Sequence, residues 1–595
     1  MSTNEGAAPQ ASGLDQRERE VPPGSADFRS AYLDFAALER QLAAWQARFP
    51  ELVRLEVLGH SPEGRPIRAA IVGRDPERVR PSVWVDANMH ATEFSGTNVA
   101  LGIVEDVLAL HQGEALGLSA PEVERLLDVL FVVVPRMSPD GAEAVLTTGR
   151  YVRSSPVDER PNQARSRWLS RDVDGDGVIR VMRRRDPQGE AAESDMAPGL
   201  MVPRTPGHPG PYYKLFPEGV IANFDGHTVP NPHYLGDNAV DFNRNFPWSW
   251  APEPEQLGAG DYPGSTPETR AVIEAAVRRP HLFAWLNLHT FGGVLIRPLG
   301  HQPDNKMNPG DLAVFRQIEA WTRDHTGYPT VSGFHEFTYE PDKPLRGDLS
   351  DYAYHQRGCV AYVIELWDLF REIGMEVKKP FVDHYSHWTP RDFAALAAWD
   401  VEKNQGRLFQ PWRSFEHPQL GQVELGGVDI RVGISNPPPD RLDDLCRRQS
   451  AAFLRVAAML PRVVLDAPSV RPLGDGIHEV SLVVRNPGYL ATYGLPSHRE
   501  LPICEPLTLR VTADGPQVLG QPPTTLGHLE GWGRGLHSGW GLFIPWTRGS
   551  VSEKRVVLCV KGSGRLELAV ESCRTGRVAV SVELPSASPA DVSAP

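Results

Sequence analysis

The sequence predicts an α/β domain with helices on both faces of its sheet, followed by a smaller β-sandwich. Two observations carry this. Over residues 30–408, short apolar runs alternate with segments of helical period, the pattern of strands joined through helices. Past Pro461 the helical period vanishes and strict alternation takes over in Val480, Leu482 and Val484, in Leu566, Leu568 and Val570, and in Val578, Val580 and Val582, with turns such as KGSG between.

Taken in order, Leu38, Leu42, Trp45 and Phe49 recur at helical spacing and stop at Pro50, which predicts an amphipathic helix over 31–49. Two strands joined by a Ser-Pro-Glu-Gly turn follow. A strand over 82–87 and a helix from Gly96 to Leu110 come next. VLFVVVP at 129–135 is continuously apolar, as in a strand covered on both faces. PETRAVIEAAVRR at 267–279 opens with proline at a helix's first position, and a strand ending near residue 289 follows it. Helical segments at 311–327, 349–358 and 392–406 continue the alternation.

Four divisions follow: a polar, disordered arm over 1–25, a catalytic domain over 26–408 with a Gly/Pro-rich insertion at about 154–238, a linker and helix over 409–461, and the β-sandwich over 462–595. A net charge of −14 leaves no basic field for nucleic acid or an anionic membrane. The N-terminus has no apolar core of a secretory signal, no run has the ~18 apolar residues of a membrane span, and the five cysteines lack C-x-x-C spacing. A soluble, reduced, cytoplasmic chain is the expectation.

The chemistry-bearing residues sit at strand ends. PSVWVDANMHATE places His90 and Glu93 just past one strand, and FAWLNLHTFGG places His289 at the end of another. Two imidazoles and one carboxylate form a catalytic zinc set, because three protein ligands leave the fourth position open. Glu365, in the apolar run CVAYVIELWD, is a carboxylate able to serve a water at that position. The H-x-x-E pair is weak by itself: among 19 histidines about one such match arises by chance, and a histidine at a strand end is commonly structural.

The company these residues keep is more specific. SPEGRPI, NMHATE, SPDGAE, VDFNRN, PGSTPETRA, LNLHTFGG and VIELWD occur in one order over residues 30–408, and in this the chain resembles the zinc carboxypeptidase family of carboxypeptidase A type, the funnelin metallopeptidases. The resemblance implies a mixed, twisted sheet with helices on both faces. It also implies zinc held by His90, Glu93 and His289, Asp241 orienting a ligand histidine, and Glu365 as general base toward a zinc-activated water. Asn243 and Arg244 match the clamp for a substrate's terminal carboxylate, a task that suits the guanidinium fork. Arg153 matches the arginine that polarises the scissile carbonyl, and Tyr339 the mobile tyrosine over the substrate, although its spacing to Asp351 departs from the family pattern. Ser350 falls at the position that sets side-chain preference and leaves that preference open, with Arg346 and Asp348 close by.

Within the insertion, Asp172, Asp174 and Asp176 followed by Gly177 match the start of a calcium loop, but position 12 is Arg183 where a bidentate glutamate belongs. Calcium binding and an ion-free Asp/Gly turn both stay open. The expected function is zinc-dependent hydrolysis of the C-terminal amide of a peptide or peptide-like substrate with a free carboxylate. A zinc amidase or deacylase acting on acyl-amino acids or cell-wall peptides is an alternative, as is a non-catalytic binding protein, against which the general base argues. No partner for the β-sandwich can be named from sequence.

Overall fold

A computed structural model describes residues 27–158, 164–197, 199–233, 235, 237–340, 343–536 and 547–586. The arm expected over 1–25 and the last residues of the C-terminal region lie outside them. The main element is an eight-stranded mixed sheet. Across it the strands run Val53–His60, Pro66–Val72, Leu130–Val134, Ser82–Ala87, Leu282–Thr290, Val360–Leu366, Val294–Arg297 and Thr330–Ser332. The four central strands, from Leu130–Val134 to Val360–Leu366, are mutually parallel, and the flanking pairings Pro66–Val72 with Leu130–Val134 and Val360–Leu366 with Val294–Arg297 are antiparallel.

Every residue of Ser82–Ala87 and Leu130–Val134 is buried, which is why these strands read as continuous apolar runs. Their cover includes the Phe94–His111 helix, which packs on four strands of the sheet, and beside it the Leu442–Ala457 helix, whose Phe453 meets Phe131 of the sheet edge-on. The latter brings Cys446, Phe453, Leu454 and Val456 into the same core.

The polar insertion and the stretch read as a linker differ from expectation. Val181–Arg185, Ala191–Glu193, Met201–Pro203 and Tyr212–Pro217 join a hairpin of Phe409–His417 and Gly421–Val428 in one six-stranded antiparallel sheet. Residues 409–428 are therefore a structural part of the insertion's sheet. The reason is a small core of its own, made by Trp168, Met182, Phe216, Ile221, Val423 and Leu425. On the opposite face of the sheet Arg183 lies with its guanidinium 4.4 Å from the ring centroids of both Tyr213 and Trp412 and 2.7 Å from Glu424. Strands of three to six residues broken by Gly and Pro show too little alternation to be read from sequence.

The C-terminal region forms two antiparallel sheets. Val480, Leu482 and Val484 from one face Leu566, Leu568 and Val570 from the other in a separate apolar cluster, so the alternation in the sequence marks the inner face of a sandwich. The sandwich is pinned to the main domain by the fully buried Arg574, which donates to the carbonyls of Leu282 and Arg357. Among the described residues no helix is long and apolar enough to cross a membrane.

Close approach of the two stacked helices depends on Gly102: a Cβ there would lie 2.9 Å from Cys446 Cβ. Gly102→Val should therefore destabilise the main domain by about 1–3 kcal/mol, read as a lowered thermal midpoint with far-UV circular dichroism. An unchanged midpoint would mean the helices separate freely.

Candidate metal centre and active site

Three adjacent parallel strands deliver the site. His90 and Glu93 follow the C-terminal end of Ser82–Ala87, His289 is the penultimate residue of Leu282–Thr290, and Glu365 the penultimate residue of Val360–Leu366. His289 and Glu365 are direct neighbours in register, and Leu288 pairs with Ala87. This is the crevice at the carboxyl ends of strands where open α/β sheets place their ligands.

His90, Glu93 and His289 are buried, with one potential ligand atom from each lying within 4.8 Å of the others. His90 Nδ1 is 2.8 Å from Glu93 Oε1, His289 Nδ1 is 3.1 Å from Glu93 Oε2, and the two Nδ1 atoms are 3.1 Å apart. Their opposite nitrogens are engaged elsewhere. His90 Nε2 lies 3.1 Å from Asp241 Oδ1, and His289 Nε2 lies 2.7 Å from Asn287 Oδ1. Both partners are acceptors, so each Nε2 carries the hydrogen and each Nδ1 presents a lone pair.

Asn287 can present only its oxygen, because its amide nitrogen donates to Asp86 Oδ1. Asp86 in turn accepts the indole N–H groups of Trp84 and Trp285 on Oδ2. Trp285, Asn287 and His289 alternate along one strand face, with Trp84 and Asp86 on the neighbouring strand, so period-two geometry stacks the network directly beneath the ligand. Asp86 and Asn287 went unread in the sequence, although the i, i+2 spacing of Asn287 and His289 is the signal that finds the latter.

Three acceptors thus converge with no donor between them. Burial holds the His289 pKa below its usual value against the opposing Glu93 carboxylate, which disfavours a shared proton. The donor set fits zinc: two imidazole lone pairs and a carboxylate, each oriented from behind.

The remaining expected residues take the following places. Burial favours a raised pKa at Asp241, but Arg153, His90 and Arg244 outweigh it and hold the carboxyl well below the usual range. Arg153 Nε is 2.9 Å from Asp241 Oδ2, and its Nη1 is 3.9 Å from Glu93. Burial, and then the Glu93 carboxylate, push Glu365 well above the usual carboxylate range, with Arg153 opposing. Asn243 Oδ1 accepts from the backbone N–H of Leu349 at 2.9 Å. Arg244 is only 8% exposed, and its Nη1 donates to the Asn243 carbonyl at 2.8 Å while its buried Nε has no partner. Ser350 is buried and its hydroxyl donates to Asp348 Oδ1 at 2.6 Å. Arg346 is exposed and forms no ion pair with Asp348 among the described residues. Tyr339 is 56% exposed and meets Phe337 edge-on. Tyr385, unread in the sequence, donates to the Phe291 carbonyl, and burial, then the Glu365 carboxylate, push its hydroxyl well above the usual range; Gly292 leaves the room its hydroxyl needs, since a Cβ there would be 2.3 Å away.

The Asp172, Asp174 and Asp176 carboxylates lie close enough to share an ion. However, Arg413 Nη2 bridges Asp174 and Asp176 at 3.0 and 2.8 Å, Arg180 pairs with Asp176 at 2.7 Å, and Asp172 caps the N–H groups of Gly175 and Gly177. Position 12, Arg183, is engaged with Glu424. Arg180 of the loop and Arg413 of the Phe409–His417 strand already supply the cations, and the geometry does not support calcium.

A family model described as zinc carboxypeptidase matches residues 38–375, and one described as a domain of unknown function matches residues 462–583. Among curated proteins, carboxypeptidase A6 of Mus musculus is 28% identical over 107 residues, covering 18% of this chain and 23% of the relative. Carboxypeptidase B of Astacus astacus is 27% identical over 126 residues, covering 21% and 39%. The matched segments thus span well under half of either relative. Among solved structures, thrombin activatable fibrinolysis inhibitor aligns with a TM-score of 0.41 at 14% identity, covering 73% of this chain and 75% of that one.

The Asp86 network makes a pH signature. Burial pushes its carboxyl up from 3.8 to about 7, against the three donors. A carboxyl whose folded pKa is raised stabilises the fold fully below its unfolded value, and that contribution is lost as pH rises through the folded value. In metal-free protein, the melting-temperature advantage of wild type over Asp86→Asn should shrink between about pH 4 and 8. A constant difference would show that Asp86 does not titrate in this window.

Proposed function

The chain belongs to the zinc carboxypeptidase family, and we propose that it hydrolyses the C-terminal amide of peptides or peptide-like substrates that carry a free terminal carboxylate. The single observation carrying this reading is the convergence of three oriented acceptors beside a carboxyl with a raised pKa. His90 and His289 through Nδ1, with Glu93, would hold zinc. When bound, the metal supplies Lewis acidity to the scissile carbonyl and to a water molecule.

The chain's residues perform the rest. Glu365 takes the proton of the attacking water and returns it to the leaving nitrogen. Its elevated pKa suits the second half of that task, and a nearby cation lowers it toward the value the first half needs. Arg153, steered by Asp241, presents N–H donors on the ligand side of the site, where negative charge develops on the carbonyl oxygen. Arg244 is a buried guanidinium with no ion pair among the described residues and an unpartnered N–H. A desolvated cation of this kind is satisfied by an incoming carboxylate. Asn243 holds the Leu349 turn beside it, and Tyr339 would close over the substrate end from its exposed position.

Glu365→Gln should retain zinc while lowering kcat by on the order of 10²–10⁴, measured on a free-acid peptide; near-normal turnover would remove Glu365 from the proton path. Arg244→Ala should raise KM at least tenfold, about 1.4 kcal/mol, for free-acid peptides and leave C-terminally amidated ones almost unchanged. Equal loss on both would make Arg244 structural. Equal wild-type activity on both would point to an amidase.

A further inference from the structure

A second cluster of metal-ligating side chains lies outside this centre. His301, Asp351 and His355 place one potential ligand atom each within 4.8 Å of one another. Asp351 and His355 sit four residues apart on the Leu349–His355 helix and so share one face. His301 follows the Val294–Arg297 strand and approaches from across the gap. The cluster is built rather than casual. Asp351 is fully buried, accepts from the Gly300 N–H at 3.1 Å, and lies 2.8 Å from His301 Nδ1. Trp248 stacks on the His355 ring at 4.2 Å with a 17° tilt, and His301 meets the same indole edge-on.

Two polar atoms there are left without partners. His355 Nε2 is buried and makes no hydrogen bond, and Asp348 Oδ2 is buried and unpartnered. Asp348 and Asp351 flank Gly300: a Cβ at that glycine would lie 3.4 Å from Asp348 Oδ2 and 3.7 Å from Asp351 Oδ2. Asp348 Oδ1 accepts the Asp351 N–H at 3.0 Å, so the two carboxylates are held close together. Two clustered buried acids, beside two imidazoles of which one leaves a ring nitrogen without a partner, have a shortage of positive charge. Leaving such groups unmet is costly.

From this arrangement we propose that His301, Asp351 and His355 form a second divalent-cation site, distinct from the catalytic centre. Two imidazoles and a carboxylate select borderline cations such as zinc or cobalt over calcium or magnesium. Around a tetrahedral ion with bonds of about 2.1 Å the donors lie about 3.4 Å apart, so the three side chains, now within 4.8 Å of one another, draw in by at most about 1.4 Å to complete the set. The bound ion would tie the 299–301 turn to the helix whose first residue, Leu349, is anchored by Asn243. It would also offset the Asp348–Asp351 repulsion and stiffen the wall of the substrate pocket.

The test is zinc stoichiometry of the full-length chain by equilibrium dialysis and atomic emission, with circular dichroism as the check on folding. Wild type should bind two equivalents. His289→Ala should keep one, His301→Asn should keep one, and the double variant should keep none. His301 is partly exposed, so its replacement spares the core; His355→Gln serves as a second variant and should also keep one. If His289→Ala binds no zinc, the second site does not exist, while the catalytic reading stands. If the double variant still holds an equivalent, or His301→Asn and His355→Gln both keep two, the extra ion lies elsewhere and the assignment is overturned.

Discussion

Three electron-pair donors, His90 Nδ1, His289 Nδ1 and the Glu93 carboxylate with one oxygen toward each ring, lie about 3 Å apart in a buried crevice. The rest of the site follows from that constraint. Left to themselves, such groups repel or share protons, and burial disfavours the protonated form of His289. The protein excludes the alternatives by fixing tautomers from behind. Asp241 holds one ring, and the Asn287–Asp86 pair holds the other. Asp241 can do so because Arg153 and Arg244 keep it ionised, and Asn287 can do so because Asp86 consumes its amide N–H.

The fold serves this constraint through register. Three neighbouring parallel strands end at one level, which puts His289 directly beside Glu365. Both side chains thereby reach the crevice without a long loop to position them. Behind the strands, the Phe94–His111 and Leu442–Ala457 helices pack on the sheet and on each other, and sites built on packed strands are held more accurately than sites on loops.

Much of this was legible in the sequence, for identifiable reasons. His90, Glu93, His289 and Glu365 each terminate an apolar run, and a strand end is where buried backbone gives way to a crevice. Asp241, Asn243, Arg244 and Arg153 could be named only through a family resemblance, because their partners are 88 to 151 residues away in the chain or lie on separate turns. Asn287 and Asp86 were hidden among apolar neighbours, where a polar residue on a buried strand signals a partner that the sequence does not identify. The 409–428 hairpin was missed for another reason: its strands pair with Val181–Arg185, more than two hundred residues upstream, and their apolar faces are narrow. Arg574 shows the same limit. An arginine in a turn reads as solvated, yet here it is fully buried between the sandwich and the start of the Leu282–Thr290 strand.

The central claim is that the two histidines offer Nδ1, and not Nε2, to the same cation. Anomalous diffraction at the zinc edge from crystals of the zinc-loaded chain tests it most directly. The account predicts a peak about 2.0–2.2 Å from His90 Nδ1, His289 Nδ1 and a Glu93 oxygen, with Asp241 and Asn287 still bonded to the two Nε2 atoms. A zinc peak coordinated through Nε2, or no peak among these three residues, would contradict it.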